Sequence, residues 1–206
     1  NPSGNLRRCA VADNVANDRG GGVYMASVGN VESSVIQGNW AAYYGGGVDC
    51  DQGGNVSSCT IYGNTAQFTS GGGLHVNNGG YILGTIIWGN TAPSSPNVLE
   101  DGSGFQFYYC CTPSVLSVGE DNITDDPQFH SSSDLRLTSG SFCIDAGGSV
   151  HLPDRRGVPR ALEGNRDEPA YDDIGAYEYI DPAWDTDGDG SSDRTEAWMG
   201  TDPTDP

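Results

Sequence analysis

The sequence predicts an all-β chain wound as a right-handed parallel β-helix, and three observations predict it. Gly-Gly-Gly recurs at 20–22, 45–47 and 71–73. An Asn followed two residues later by Ala recurs at Asn14/Ala16, Asn39/Ala41, Asn64/Ala66 and Asn90/Ala92, with Gly before the last three and Asp13 before the first. Leu6, Val31, Val56 and Ile82 each precede that Asn by eight positions. Successive copies are 25, 25 and 26 residues apart, a period that marks a stacked repeat.

Each part of a copy has a physical role. The L-x-x-L-x-L frame of a leucine-rich repeat is absent. The Gly triplets and the Val/Ile/Thr-rich stretches oppose helix and favour strand. Gly47-Val48-Asp49-Cys50 and Gly73-Leu74-His75-Val76 alternate apolar with other residues, as strands facing a core do. Stacked coils pair each strand with its own copy one rung away, roughly 4.8 Å, so equivalent residues pile into columns. Asn39, Asn64 and Asn90 are expected to form an asparagine ladder at a bend that tolerates the left-handed conformation. The Gly triplets supply the tight corner before the next strand.

Composition narrows the function. The 206 residues include 28 acidic and 9 basic ones, a formal net charge of -19, with a pI near 4.1. All nine basic residues are Arg, which removes lysine Schiff bases, lysine general bases and Walker-type phosphate loops. So acidic a chain is a poor partner for nucleic acid or for an anionic membrane surface. No apolar run approaches the roughly 20 residues of a membrane span. The start, Asn1-Pro2-Ser3-Gly4-Asn5, has neither Met nor the features of a signal peptide, so the chain is expected to be a processed product or part of a longer precursor. Three regions are expected: coils over 1–100, closing coils and an irregular cap over 101–180, and a calcium-binding repeat over 181–206.

The repeats, with their GN-x-A and GGG signatures, resemble right-handed β-helix repeat proteins of bacterial cell surfaces. The second half is similar to the same family. Asp126-Pro127-Gln128-Phe129, Asp134-Leu135-Arg136-Leu137 and Ser141-Phe142-Cys143-Ile144-Asp145-Ala146-Gly147 follow its closing segment, with Phe142 where Pro is frequent. Asp154-Arg155-Arg156-Gly157-Val158-Pro159-Arg160 and Asp173-Ile174-Gly175-Ala176-Tyr177-Glu178 match its end. The resemblance spans most of residues 1–180. It implies the fold and a secreted or cell-surface location, and it leaves function open, because this fold hosts adhesins, lyases and proteins of unknown role.

Cys9 and Cys59 share a column with Ser34 and Thr85, two rungs or roughly 9–10 Å apart, too far for a bridge. With Cys50, which shares an inward column with Met25 and Val76, they read as small buried hydrophobes. Cys110, Cys111 and Cys143 fall in the irregular region, where a disulfide between Cys111 and Cys143 is expected, leaving Cys110 free. The columns Gln37-Tyr62-Trp88 and Tyr24-Asp49-His75 should point outward. The aromatics Trp40, Tyr43, Tyr44, Tyr62 and Trp88 can cover loops of their own coil, meet another subunit, or stack on sugars.

The strongest chemical motif is Asp185-Thr186-Asp187-Gly188-Asp189-Gly190-Ser191-Ser192-Asp193-Arg194-Thr195-Glu196. It fits the 12-residue calcium loop at every ligand position, with Asp185, Asp187, Asp189, the Ser191 carbonyl, Asp193 and Glu196 as the oxygen shell and Gly190 at the sharp turn. Ser192 stands where paired EF-hands carry Val or Ile, so the segment resembles the calcium repeats of thrombospondin type 3 and dockerin-like modules. Residues 181–206 hold eight acids and one Arg, whose self-repulsion opposes order without a cation.

Catalysis has little support in the sequence. A polysaccharide lyase needs a base beside a uronate-neutralising cation, yet the Arg are scattered and His75, His130 and His151 are isolated. A hydrolase needs spaced carboxylates, and Asp125/Asp126 and Asp172/Asp173 lie in or beside the closing motifs. The expected function is therefore non-enzymatic: a calcium-stabilised structural or adhesive surface protein, a homo-oligomer or head-to-tail filament subunit joined through its β-helix ends. A carbohydrate-binding module with a glycan partner, or a polysaccharide-degrading enzyme, is the alternative.

Overall fold

The computed structural model describes residues 4–149, 152–160, 171–181, 187–188, 196, 200–202 and 204. The first coil carries β1 (Gly4–Arg7), β2 (Ala10–Ala12), β3 (Val15–Ala16) and β4 (Val23–Met25). The second carries β5 (Gly29–Glu32), β6 (Val35–Gln37), β7 (Trp40–Ala41) and β8 (Val48–Cys50). The third carries β9 (Asn55–Ser57), β10 (Thr60–Tyr62), β11 (Thr65–Ala66) and β12 (Leu74–Asn77). β13 (Gly80–Leu83), β14 (Ile86–Trp88) and β15 (Val98–Asp101) form the fourth, and β16 (Phe105–Tyr108) opens the next. Every pair among these described strands is parallel, in four sheets ordered β1-β5-β9-β13-β16, β2-β6-β10-β14, β3-β7-β11 and β4-β8-β12-β15. The result is a parallel β-helix of about four turns.

The register is the one the repeat predicts: Leu6 pairs with Val31, Val31 with Val56 and Val56 with Ile82. Period-2 alternation sends these residues, with Ile36, Ile61, Ile87, Val48, Leu74 and Val76, into one apolar interior. Cys50 sits in that interior between Met25 and Val76, as expected.

The asparagine ladder forms as predicted and runs further. Asn39 donates its backbone N–H and its side-chain amide to Asn64 Oδ1, both at 2.9 Å. Asn64 does the same to Asn90, at 2.9 and 3.0 Å. Asn14 adds a rung below, and Asn97, seven residues after Asn90, closes the top. The left-handed bend falls one residue earlier than expected: Gly38, Gly63, Gly89 and Asp13 have φ of 57–66°, which leaves each Asn free to point inward. In the Gly triplet at 45–47, Gly45 takes φ +60°, Gly46 lies against the carbonyl of Gly72, and a Cβ on Gly47 would meet the Asn64 amide at 2.9 Å. The corner and the ladder therefore require each other.

Residues beyond β16 do two things. Leu116 and Val118 pack against the main core, and Glu120 and Ile123 bridge to Tyr108 and Cys111, so this segment covers the last rung. The chain then returns along the outer face of the β2-β6-β10-β14 sheet. Phe129 meets Tyr62 edge-on at 5.6 Å, Gln37 Nε2 donates to the Ser132 carbonyl, and Ala176 N donates to Thr60 Oγ1. Gly175, at φ +111°, lies so close that a Cβ would stand 2.7 Å from Ile86 Cδ1. The column Gln37-Tyr62-Trp88 does point outward, and the protein's own closing segment covers it.

Asn64→Ala should lower stability by about 3–4 kcal/mol. It deletes four hydrogen bonds worth about 1 kcal/mol each and strands the buried Asn39 N–H. Replacing exposed Asn17 should cost under about 0.5 kcal/mol. Equal denaturant midpoints for the two variants would contradict the ladder's role.

Candidate functional site

The outer face of the β4-β8-β12-β15 sheet carries the most concentrated polar chemistry of the coils. Alternation aligns Tyr24, Asp49, His75 and Leu99 in one outward column. Asp51 follows Asp49 at the next outward position, and Asn77 and Asp101 pair with each other in the column beside it. Outward direction does not mean exposure here. Asp49 is fully buried and His75 is 3% exposed, because loop side chains Arg19 and Tyr44 fold over them.

The contacts are dense. Asp49 Oδ1 lies 2.8 Å from His75 Nδ1. The Tyr44 ring lies 5.1 Å from the imidazole, and the Arg19 guanidinium sits over Tyr44 at 5.6 Å. Arg19 also reaches Asp49 at 3.7 Å and Asp51 at 3.2 Å. Tyr24 Oη donates to Asp51 at 3.1 Å. His75 Nε2 faces Asp101 Oδ2 at 3.9 Å, beyond hydrogen-bond range. In sequence His75 looks isolated. The 26-residue spacing to Asp49 becomes adjacency only when the coils stack.

The other aromatics are largely occupied by their own chain. Tyr62 meets Phe129, Trp88 packs in the second apolar cluster, and Trp40 Nε1 donates to Gln67 Oε1 at 3.4 Å. Tyr43 pairs with Phe68 at 6.1 Å, and both remain exposed.

The closing motifs hold a buried acidic network. Asp154 accepts hydrogen bonds from the N–H groups of Arg156, Val158 and Glu178, and from Arg156 Nε. Asp173 accepts from the N–H groups of Asp145 and Tyr179. Buried Arg160 donates to Glu178 and to the carbonyls of Asp173 and Gly175. These carboxylates hold irregular backbone in place, which accounts for the acids in the closing motifs. Asp126 likewise accepts from Gln128 N. Burial is the main force pushing Asp173 up to about 8, and it raises Glu178 as well, where the neighbouring Asp173 charge adds to it and the Arg160 guanidinium opposes it.

The six cysteines are free thiols. Burial pushes Cys59 and Cys110 up to about 12, and Cys50 also upward, which fits inert structural thiols. The expected disulfide between Cys111 and Cys143 is corrected: the two side chains pack in the same buried cluster but are not at bonding distance. The Cys111 thiol donates to the Asp125 carbonyl at 3.3 Å, and its contact with Cys143 and its burial raise its pKa. Apolar packing with Ile86, Leu137, Ile144 and Ile174 joins the segments instead.

Of the expected calcium ligands, Asp185, Asp189, Ser191 and Asp193 lie outside the described residues. Glu196 is buried at 3% exposure, and Thr201 N donates to its carbonyl at 2.9 Å. Among the described residues no group of three or more His, Cys, Asp or Glu is arranged to hold a metal, and no helix is long and apolar enough to cross a membrane. In comparisons with known proteins, the chain matches no family model, no curated protein and no solved structure.

The acidic network sets a sign for pH dependence. The folded chain keeps a proton on Asp173 that an unfolded Asp loses above about pH 4. Unfolding therefore releases that proton, and this contribution to stability falls as pH rises from about 4 to about 8. Denaturation at pH 5 and pH 8 should show that decline in the wild type and a flatter one in Asp173→Asn. Equal slopes would exclude the buried proton.

Proposed function

We propose that the chain is a structural or adhesive module of an extracellular surface protein, stabilised by calcium in its C-terminal loop and joined head to tail with further copies. The observation that carries this reading is the complete calcium ligand frame from Asp185 to Glu196 that follows the β-helix. Residues 112–123 seal the rung after β16, and strand edges left unsealed in a β-helix pair readily with another element.

Charge favours a copy of the chain as the occupant. The first coil carries Arg7, Arg8 and Arg19, and residues 181–206 carry eight acids. Such a contact is heterologous, and without ring closure it propagates into a filament. The loop from Asp185 to Glu196 has the full calcium ligand frame, and the burial of Glu196 suits a closing ligand. The resemblance to bacterial surface proteins and to thrombospondin type 3 or dockerin-like repeats supports the same assignment. A glycan-binding role is the second reading, favoured by the exposed rings of Tyr24, Tyr43 and Phe68.

Two measurements test the proposal. Calcium titration should find one site in the wild type that Asp187→Ala abolishes, and equal uptake by both would end the calcium assignment. Electron microscopy and sedimentation should show rods that lengthen with concentration in calcium and shorten with a chelator or with Arg7→Glu/Arg8→Glu. A monodisperse monomer at high concentration with calcium bound would eliminate the filament. Retention of that monomer on a neutral glycan column would favour the second reading.

A further inference from the structure

The geometry points to a second cation site, distinct from the C-terminal loop, in which His75 Nε2 and Asp101 bind a divalent transition metal of the zinc type on the outer face of the β4-β8-β12-β15 sheet.

Asp49 is fully buried, and its Oδ1 lies 2.8 Å from His75 Nδ1. A carboxylate can only accept, so Nδ1 carries the hydrogen, and in the neutral tautomer this fixes, Nε2 presents a lone pair. Nε2 is buried in a residue 3% exposed and has no hydrogen-bond partner. An unsatisfied buried acceptor costs about 1–3 kcal/mol, a cost that a bound ligand would remove. The nearest opposing group is Asp101 Oδ2 at 3.9 Å. That gap is too long for a hydrogen bond, and the exposed Asp101 side chain need close it by only about 0.5 Å for two bonds of about 2.0–2.2 Å to meet at a tetrahedral metal.

Three further features support a metal rather than a neutral ligand. A ligating His characteristically donates its other ring N–H to a carboxylate, which fixes the ring and strengthens the donor, and Asp49 occupies that place. The Tyr44 ring and Arg19 above it hold the imidazole from the open side. Asp49, Asp51 and Asp101 against Arg19 give the face a net negative charge. The Asp101 side chain is 66% exposed, which provides an entry path and leaves coordination positions to water. An imidazole nitrogen in the shell selects zinc, cobalt or nickel over calcium, which takes oxygen ligands.

The test uses the full chain in excess calcium, so that the C-terminal loop is already filled. Zinc titration by calorimetry and cobalt titration by visible absorption should each find one site. His75→Gln and Asp101→Asn should each weaken it at least tenfold, and Asp49→Asn about 10–100-fold through loss of the ring's anchor. Asp187→Ala should leave zinc binding unchanged. Because Asp101 is exposed, its variant stays informative even where His75→Gln disturbs folding. No uptake by the wild type, or uptake unaffected by Asp101→Asn, would overturn the assignment. So would nitrogen NMR shifts showing both ring nitrogens protonated in the presence of zinc, which would make His75 an imidazolium between two carboxylates.

Discussion

The in-register stacking of identical backbone bends is the constraint on which the structure depends. Each coil must return to the same azimuth after about 25 residues, and the asparagine column enforces that return. Asn39, Asn64 and Asn90 each accept from the Asn below and donate to the next, so a slipped coil would strand several buried donors at once. The inward side chains then meet their own copies, and the apolar interior needs no long-range design beyond repetition. The Gly triplet belongs to the same device, because it passes close enough to the ladder that a Cβ would touch the Asn amide.

Repetition also creates the polar face. Outward columns in a β-helix inherit whatever the repeat tolerates, and variation between coils decides the chemistry. At one outward position the coils carry Tyr24, Asp49, His75 and Leu99, four different residues in one line. A buried Asp–His contact results, covered by Arg19 and Tyr44 from the loops that lead into β4 and β8. The closing segment uses acids differently. There, Asp154, Asp173 and Glu178 receive backbone N–H groups that have no sheet partner, with Arg160 and Arg156 as the neutralising charges. In the closing segment, then, buried carboxylates sit where irregular backbone has donors to satisfy.

The sequence by itself determined the coil. A period of 25–26 residues, alternation within each strand, and the columns of Asn, Gly and apolar residues are all local or strictly periodic, so strand pairing and register followed from counting. The inward position of Cys50 and the outward direction of Gln37-Tyr62-Trp88 followed for the same reason. The proposed calcium motif is legible too, since its candidate ligands lie within twelve consecutive residues. The left-handed residue was displaced by one position, because the bend is set by Gly38, Gly63 and Gly89, which free the following Asn to turn inward.

Only the tertiary structure decided what covers the outward columns. Phe129, Leu135 and Ala176 meet Tyr62 and Val35 from more than sixty residues away along the chain, and no periodicity encodes that return. The same holds for Cys111 and Cys143, which the closing segment brings together as packed thiols rather than a bridge. It holds most strongly for Asp49, His75 and Asp101. Their spacings of 26 residues each become one site because a full turn separates them, while the burial that gives the site its character comes from loop side chains that the repeat does not specify.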